Sequence, residues 1–210
     1  MKIAIIDSGI HPGHPHVERV AGGVGVTAEG FDPDFLDRLG HGTAVAAAIH
    51  EKVPGADLYA VKVFDRRLSA TIGAIVRALE WCLDQRMDVI NLSLGTANPE
   101  HRTEFERVLS DDALIVSAAH MLPGSLSGTI GVAAEDCPRD TYRYRDGVFY
   151  ASPYPRSIPG VPPERNLSGV SFAVANMTGF VALALAEVPR QNLREALIAR
   201  AVTPPGVPIR

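Results

Sequence analysis

The chain has 210 residues, 46% of them hydrophobic and 21% charged, with a formal net charge of −4. This length supports one domain with a sizeable core, and the composition is that of an ordinary soluble globular protein. A charge this mild, with no basic run, argues against a nucleic-acid partner, and no stretch of 18 uninterrupted apolar residues occurs, so no membrane span is expected.

Lys2–Ile6 is a β-branched apolar run that stops at Asp-Ser-Gly, the pattern of a buried strand meeting a turn. The opening MKIAIIDSGI carries one Lys and an apolar run too short for a signal peptide. With Met1 as the native start, a cytoplasmic location is expected. Residues 11–40, rich in Gly and Pro, read as a long loop region. Thr43–Ile49 is small, apolar and helix-forming, and Asp57–Phe64 reads as a second strand. Thr71–Asp84 places Ile72, Ile75, Val76, Leu79 and Leu83 on one helical face. Asp88–Leu94 is a third strand ending at Gly95, Arg102–Leu109 a helix, Ala113–Ala119 a fourth strand and Thr129–Ala134 a fifth. From Cys137 to Leu167 at most short strands are expected, near Val148–Ala151. A nearly unbroken apolar helix follows Ser171, and a last amphipathic helix runs from about Gln191 to Ala201. The pattern reads as a single domain over residues 1–203 and a tail over 204–210, where TPPGVPIR cannot continue a helix. Cys82 and Cys137, far apart along the chain, form no disulfide framework and are expected to be reduced.

Strands alternating with helices predict an α/β fold built on a mostly parallel sheet, whose sites lie beyond the carboxyl ends of the strands. Three side chains sit where such a site would form. Asp7 ends the first strand, His41 starts a helix, and Ser171 starts another. Nucleophilic catalysis by serine needs these three groups, because a hydroxyl must lose its proton to a base, and a carboxylate must orient that base and stabilise its charged form. Each residue also has an ordinary explanation. Asp caps turns, His at a helix start is commonly structural, and Ser ahead of a helix is commonly a cap.

The flanking residues distinguish these readings. IAIIDSGI around Asp7, GHGTAVAAAI around His41 and SGVSFAVANMTG around Ser171 closely resemble, in the same chain order, the catalytic segments of the subtilisin-like serine peptidases. YAVKVFD (59–65), EWC (80–82) and DVINLSLG (88–95) are similar to that family's connecting core. The resemblance implies a three-layer fold, with a mostly parallel central sheet flanked by helices. It implies Ser171 as nucleophile, His41 as general base and then acid, and Asp7 as its orienting carboxylate. Ser93, Leu94 and Gly95 would form an extended edge that pairs with a peptide substrate, and Asn91 would be a structural residue of that strand.

The chain departs from the family in one functional group. Where the family has Gly and then an Asn that donates to the oxyanion, VSAAHMLPG places His120 and Met121. Methionine has no donor. Loss of this donor in a subtilisin costs roughly 10²–10³ in turnover, about 3–4 kcal/mol. His120 is therefore a candidate oxyanion donor. The alternatives are a group that enters with substrate, or a degraded site that binds peptides without cutting them. Smaller departures are Val170 before the nucleophile, and Ala175 and Asn176 where the family has Pro and His. The loop after Met121 is short, and His120 in place of a glycine would narrow the family's main specificity pocket toward small or polar residues.

Two segments lie outside this scheme. HPGHPHV (11–17) carries three histidines and reads as a stiff structural loop rather than a metal cluster, so neither a metal nor a cofactor is expected. Arg139–Arg165 carries five arginines and four tyrosines. It reads either as a surface loop with packed aromatics or as a lid or docking surface for an acidic peptide or a partner protein. Family members commonly carry an inhibitory pro-segment, and this chain begins on its first core strand. The expectation is a serine endopeptidase of restricted specificity, for instance in precursor maturation, acting on a peptide or protein substrate with a possible activating or docking partner. An impaired homologue that binds peptides or proteins is the alternative. Transfer of the acyl group to an amine shares the same acyl-enzyme.

Overall fold

A computed structural model describes residues 1–27, 29–109 and 114–202. The Lys2–Ile6 run forms β1 (Lys2–Asp7), and its alternation sets the layers. Ile3 and Ile5 point into one core and Ala4 and Ile6 into another. A strand buried on both faces belongs inside a parallel sheet covered on both sides.

The elements that follow are β2 (Val20–Val26), β3 (Phe31–Asp32), α1 (His41–Lys52), β4 (Asp57–Lys62), α2 (Ile72–Asp84), β5 (Val89–Leu92) and α3 (Arg102–Val108). Then come β6 (Ile115–Ala118), β7 (Ile130–Ala134), β8 (Tyr142–Arg145), β9 (Val148–Ala151), α4 (Val170–Leu185) and α5 (Leu193–Arg200). Among the described residues, these nine strands form one sheet in the order β3-β2-β4-β1-β5-β6-β7-β9-β8. The strands from β2 through β9 in that order are parallel, and β3 and β8 pair antiparallel at the two edges. Helices α1, α4 and α5 cover one face and α2 and α3 the other, giving the expected three layers. On α2, Ile75, Val76 and Leu79 are buried and Ile72 and Leu83 pack at the margin.

Strand β1 lies at the centre, with β4 on one side and β5 on the other. The chain reaches β4 through α1 on one face and β5 through α2 on the opposite face. The crevice left at the carboxyl end of β1 is the switch point where such sheets bind ligands. Asp7, paired in register with Lys62, stands there.

The loop expected over residues 11–40 contains β2 and β3. Strand β2 reads VAGGVGV, and its glycines hide it from propensity. Their cause is close packing. A Cβ on Gly23 would lie 2.6 Å from the Ala60 carbonyl oxygen and 2.7 Å from the Phe35 ring. Strand β8 also extends beyond expectation. Asp146 and Gly147 both have positive φ, 50° and 86°, and they turn β8 back onto β9. Asp-Gly between two alternating runs is a hairpin signal. Residue 113, the expected start of the fourth strand, and the tail from 203 lie outside the described residues. Cys82 and Cys137 are buried free thiols, and burial pushes the pKa of each up.

Helix α4 is buried from Phe172 to Gly179, so its polar residues need internal partners. Asn176 donates from Nδ2 to the carbonyls of Ser152 (3.0 Å) and Tyr154 (2.9 Å). Its Oδ1 accepts from Lys52 Nζ at 2.7 Å, at the end of α1. Burial, with the charge of Arg139, pulls the Lys52 pKa down to about 8. Asn176→Ala strands two carbonyls and this ammonium at once. It is expected to lower the unfolding free energy by about 2–4 kcal/mol, read from urea denaturation. A change under about 0.5 kcal/mol, the range of an ordinary surface substitution, contradicts this account.

Candidate active site

Strand β1 ends on Asp7, whose side chain has no exposed surface. Its Oδ1 accepts from the Ser8 backbone N–H and lies 2.7 Å from His41 Nδ1. A carboxylate at Nδ1 holds the proton there and leaves Nε2 as the basic nitrogen. Asp7 Oδ2 is buried without a hydrogen-bond partner among the described residues. Gly42 permits this approach of α1 to β1. A Cβ there would collide with the Gly9 carbonyl oxygen and sit 3.2 Å from Asp7 Oδ1.

The turn that carries His41 is organised by a second carboxylate. Asp37 is buried, and its Oδ1 accepts from Ser8 Oγ and from the backbone N–H of Leu39 and Gly40, each at 2.9 Å. Its Oδ2 accepts from Thr43 N at 2.9 Å and Thr43 Oγ1 at 2.6 Å. Ser8 Oγ in turn accepts from Gly42 N at 2.9 Å, so β1 and α1 are joined through Ser8 as well as Asp7. Burial alone would raise the Asp37 pKa, but the donors of Thr43, Leu39 and Ser8 outweigh it and hold the group ionised. At His41, burial opposes the charged ring, while the hydrogen bond and charge of Asp7, with the charge of Asp37, favour it. The net pKa is raised. Sequence reasoning missed Asp37, Ser8 and Thr43. The available signal was an Asp two and three residues ahead of a Leu-Gly turn, where aspartate accepts from backbone N–H groups.

Ser171 is the second residue of α4, and the N-cap is Gly169 with no side-chain cap bond. The hydroxyl therefore is not capping the helix. It donates across the chain to the Ser93 carbonyl at 3.0 Å. The next residue, Phe172, packs its ring against the His41 imidazole, with centroids 5.4 Å apart. Asp7 and His41 are thus directly bonded, and Ser171 is brought beside His41 with both half-buried, without a hydrogen bond between them. Catalytic hydrogen bonds are often loose before substrate binds. Such a helix start also offers N–H groups that lack intrahelical acceptors and carry the positive end of the helix dipole.

Ser93, Leu94 and Gly95 follow directly on β5. Asn91 Nδ2 donates to Thr178 Oγ1 of α4 at 2.9 Å, and Ser93 Oγ lies 2.8 Å from Asn91 Oδ1. This locks β5 to α4 and fixes Ser93 under Ser171. The backbone N–H and C=O of Gly95 have no partner among the described residues. Immediately beyond, Thr96 and Leu122 exchange backbone hydrogen bonds of 3.0 and 2.9 Å. A Cβ on Gly95 would lie 2.8 Å from Met121 Cβ, so the two segments touch there. His120 is exposed on the turn after β6, and no hydrogen bond or ring contact joins it to Ser171 or His41.

Comparison with known proteins adds relatives to this geometry. A thermostable alkaline protease of Halalkalibacterium halodurans is 31% identical over 214 residues, covering 90% of this chain and 57% of that protein. Subtilisin E of Bacillus subtilis is 30% identical over 219 residues, covering 90% of this chain and 56% of its own length. The chain thus spans little more than half the length of these curated relatives. The crystal structure of a cold adapted subtilisin-like serine proteinase superimposes with a TM-score of 0.72 over 95% of this chain and 81% of that one. Its 20% identity makes this a likeness of fold. Residues 1–141 match the Subtilase family, and the chain belongs to that family.

Proposed function

We propose that the chain is a serine endopeptidase that cleaves peptide bonds through an acyl-enzyme on Ser171, with restricted specificity. The observation that carries this reading is the 2.7 Å Asp7–His41 pair standing beside Ser171 at the start of a buried helix. Rotation of the Ser171 side chain moves Oγ from the Ser93 carbonyl toward His41 Nε2. His41 takes the hydroxyl proton as Oγ attacks the substrate carbonyl, and Asp7 stabilises the imidazolium. Negative charge develops on the carbonyl oxygen, facing the N–H groups of the first turn of α4. The tetrahedral intermediate collapses, His41 protonates the departing amine, and the acyl group stays on Ser171. Water then repeats the cycle and releases the acid. An amine in place of water gives acyl transfer instead.

Restricted specificity is supported by the contact between Gly95 and Met121. It brings the segment that would pair with substrate against the segment after β6, the two being bridged by Thr96 and Leu122, which favours small substrate side chains there. Met121 also leaves the oxyanion with backbone donors unless His120 turns inward. A second reading, an impaired homologue that binds peptides, draws on the Ser171 hydroxyl being held by Ser93 and on the missing Asn.

Two experiments test the proposal. First, kcat/KM on a peptide substrate should rise with pH as His41 deprotonates, with a midpoint above the ordinary histidine value of about 6.5. Removing the Asp37 charge in Asp37→Asn should move the midpoint down, and Asp7→Asn should cut kcat by about 10⁴ through loss of the correct tautomer. The same raised pKa makes the Asp7–His41 pair contribute stability below pH 6.5 that fades as pH rises through the folded value. A flat profile, or Asp7→Asn at wild-type rate, contradicts catalysis by this pair. Tight peptide binding with no cleavage at any pH supports the second reading. Second, Met121→Asn restores a side-chain donor and is expected to raise kcat by about 10²–10³ in steady-state kinetics. An unchanged kcat would mean the oxyanion already has its second donor. His120→Ala would then lower turnover if that donor is His120.

A further inference from the structure

The HPGHPHV loop and the Arg-rich segment are far apart in sequence, and the fold brings them to one place. A cavity of about 530 Å³ opens between them and the turn that carries His41. Gly40 and Thr43, on either side of His41, form one wall, and Asn166 and Leu167, just ahead of Ser171, form another. Apart from Asp37, the remaining polar lining is basic: His11, His14, His16, Arg38, Arg156 and Arg165.

Counter-charge in this cavity is short. Asp37 is the carboxylate among its lining residues, and both its oxygens are used by Ser8, Leu39, Gly40 and Thr43. Arg38 is held by Asp34 at 2.6 Å. Arg156 lies 3.9 Å from Glu51, and Glu51 also pairs with Arg139. Arg165 is exposed and makes no ion pair among the described residues. The field is already visible within the cavity. Burial, then the charges of Arg156 and His14, push the His16 pKa down, with Glu51 the smaller opposing influence.

The position of the cavity suggests its occupant. Leu94 packs into the core under α2, whereas the cavity lies against Ala44 and Ala47 of α1, on the opposite face of the sheet. Ser171 is bonded to Ser93 on the first side, Phe172 beside it packs on His41, and Gly40 and Thr43 around His41 line the cavity. A peptide whose acyl side pairs with Gly95 would cross Ser171 and direct its leaving-group side into the basic cavity. We infer that this cavity binds acidic side chains of the substrate on the leaving-group side of the cleaved bond. The inference rests on the endopeptidase reading and deepens it by naming a substrate class. Neutralising an unpaired guanidinium beside three imidazoles favours Asp or Glu over their amides. Because the site is open to solvent, the preference is screened by salt.

The test uses the full chain and internally quenched peptides that differ only by Glu or Gln at each of the first three positions after the cleaved bond. The expected result is a Glu-over-Gln ratio in kcat/KM of about 10 at low salt for at least one position, shrinking as salt rises over several Debye lengths. Arg165→Gln should reduce that ratio at least threefold, Arg156→Gln should reduce it too, and Arg165→Lys should largely restore it. Equal rates for Glu and Gln peptides, or a ratio unmoved by both Gln variants, overturn the inference. Hydrolysis of a small activated ester of an amino acid, whose leaving group does not reach the cavity, reports on the catalytic reading by itself. Where the ester and the peptides are all left intact, fluorescence anisotropy on Ser171→Ala with the same labelled peptides decides. Tighter Glu binding that Arg165→Gln abolishes supports the site, and equal binding overturns it. An acidic peptide that binds but does not compete with cleavage assigns the cavity to a separate ligand and also overturns the inference.

Discussion

A carboxylate with no exposed surface at the end of a central strand needs a partner, and in this chain the partner is the imidazole of His41. Without it, Asp7 would be a buried charge supported only by one backbone N–H, the kind of group whose desolvation costs several kcal/mol. The Asp7–His41 bond therefore has a structural consequence as well as a chemical one. It requires α1 to start within hydrogen-bonding distance of β1, which in turn requires Gly42 at the crossing and a well-ordered turn ahead of it. Asp37 supplies that order with five hydrogen bonds, and its charge adds to that of Asp7 in favouring the protonated ring.

The rest of the molecule fixes Ser171 against this pair. Helix α4 is apolar on nearly every side, so its position is set by burial between the sheet and its neighbours rather than by surface contacts. Its few polar residues are then used as pins. Thr178 is tied to Asn91 on β5, and Asn176 to the end of α1 and the chain after β9. Asn91 also orients Ser93, whose carbonyl receives the Ser171 hydroxyl. The same strand end thus receives the Ser171 hydroxyl and, at Gly95, has backbone groups without a partner among the described residues.

Much of this was legible in the sequence because it is written locally. Strand ends at Asp-Ser-Gly, helix starts at His-Gly-Thr and the apolar run after Ser171 each declare their element within ten residues. The misses have non-local causes. Strand β2 is glycine-rich because Phe35 and Ala60 press against it, a constraint invisible in VAGGVGV itself. Strand β8 carried a local cue in Asp146-Gly147 that its arginines obscured, since Arg143 and Arg145 read as solvent-facing until Glu135 is seen between them. The roles of Asp37 and Ser8 depend on β1 and α1 meeting in space. Similarly, two basic segments separated by more than a hundred residues read as unrelated loops until the fold places them around one cavity. His120 occupies the expected turn and is exposed there.

The central claim is that the Asp7–His41 pair activates one particular hydroxyl. A fluorophosphonate reacts with an activated serine and not with an ordinary one, so labelling followed by peptide mass mapping tests the claim most directly. The account predicts stoichiometric modification of Ser171 alone, lost when His41 is replaced by Ala. An unlabelled chain, or a label carried on another serine, would contradict it.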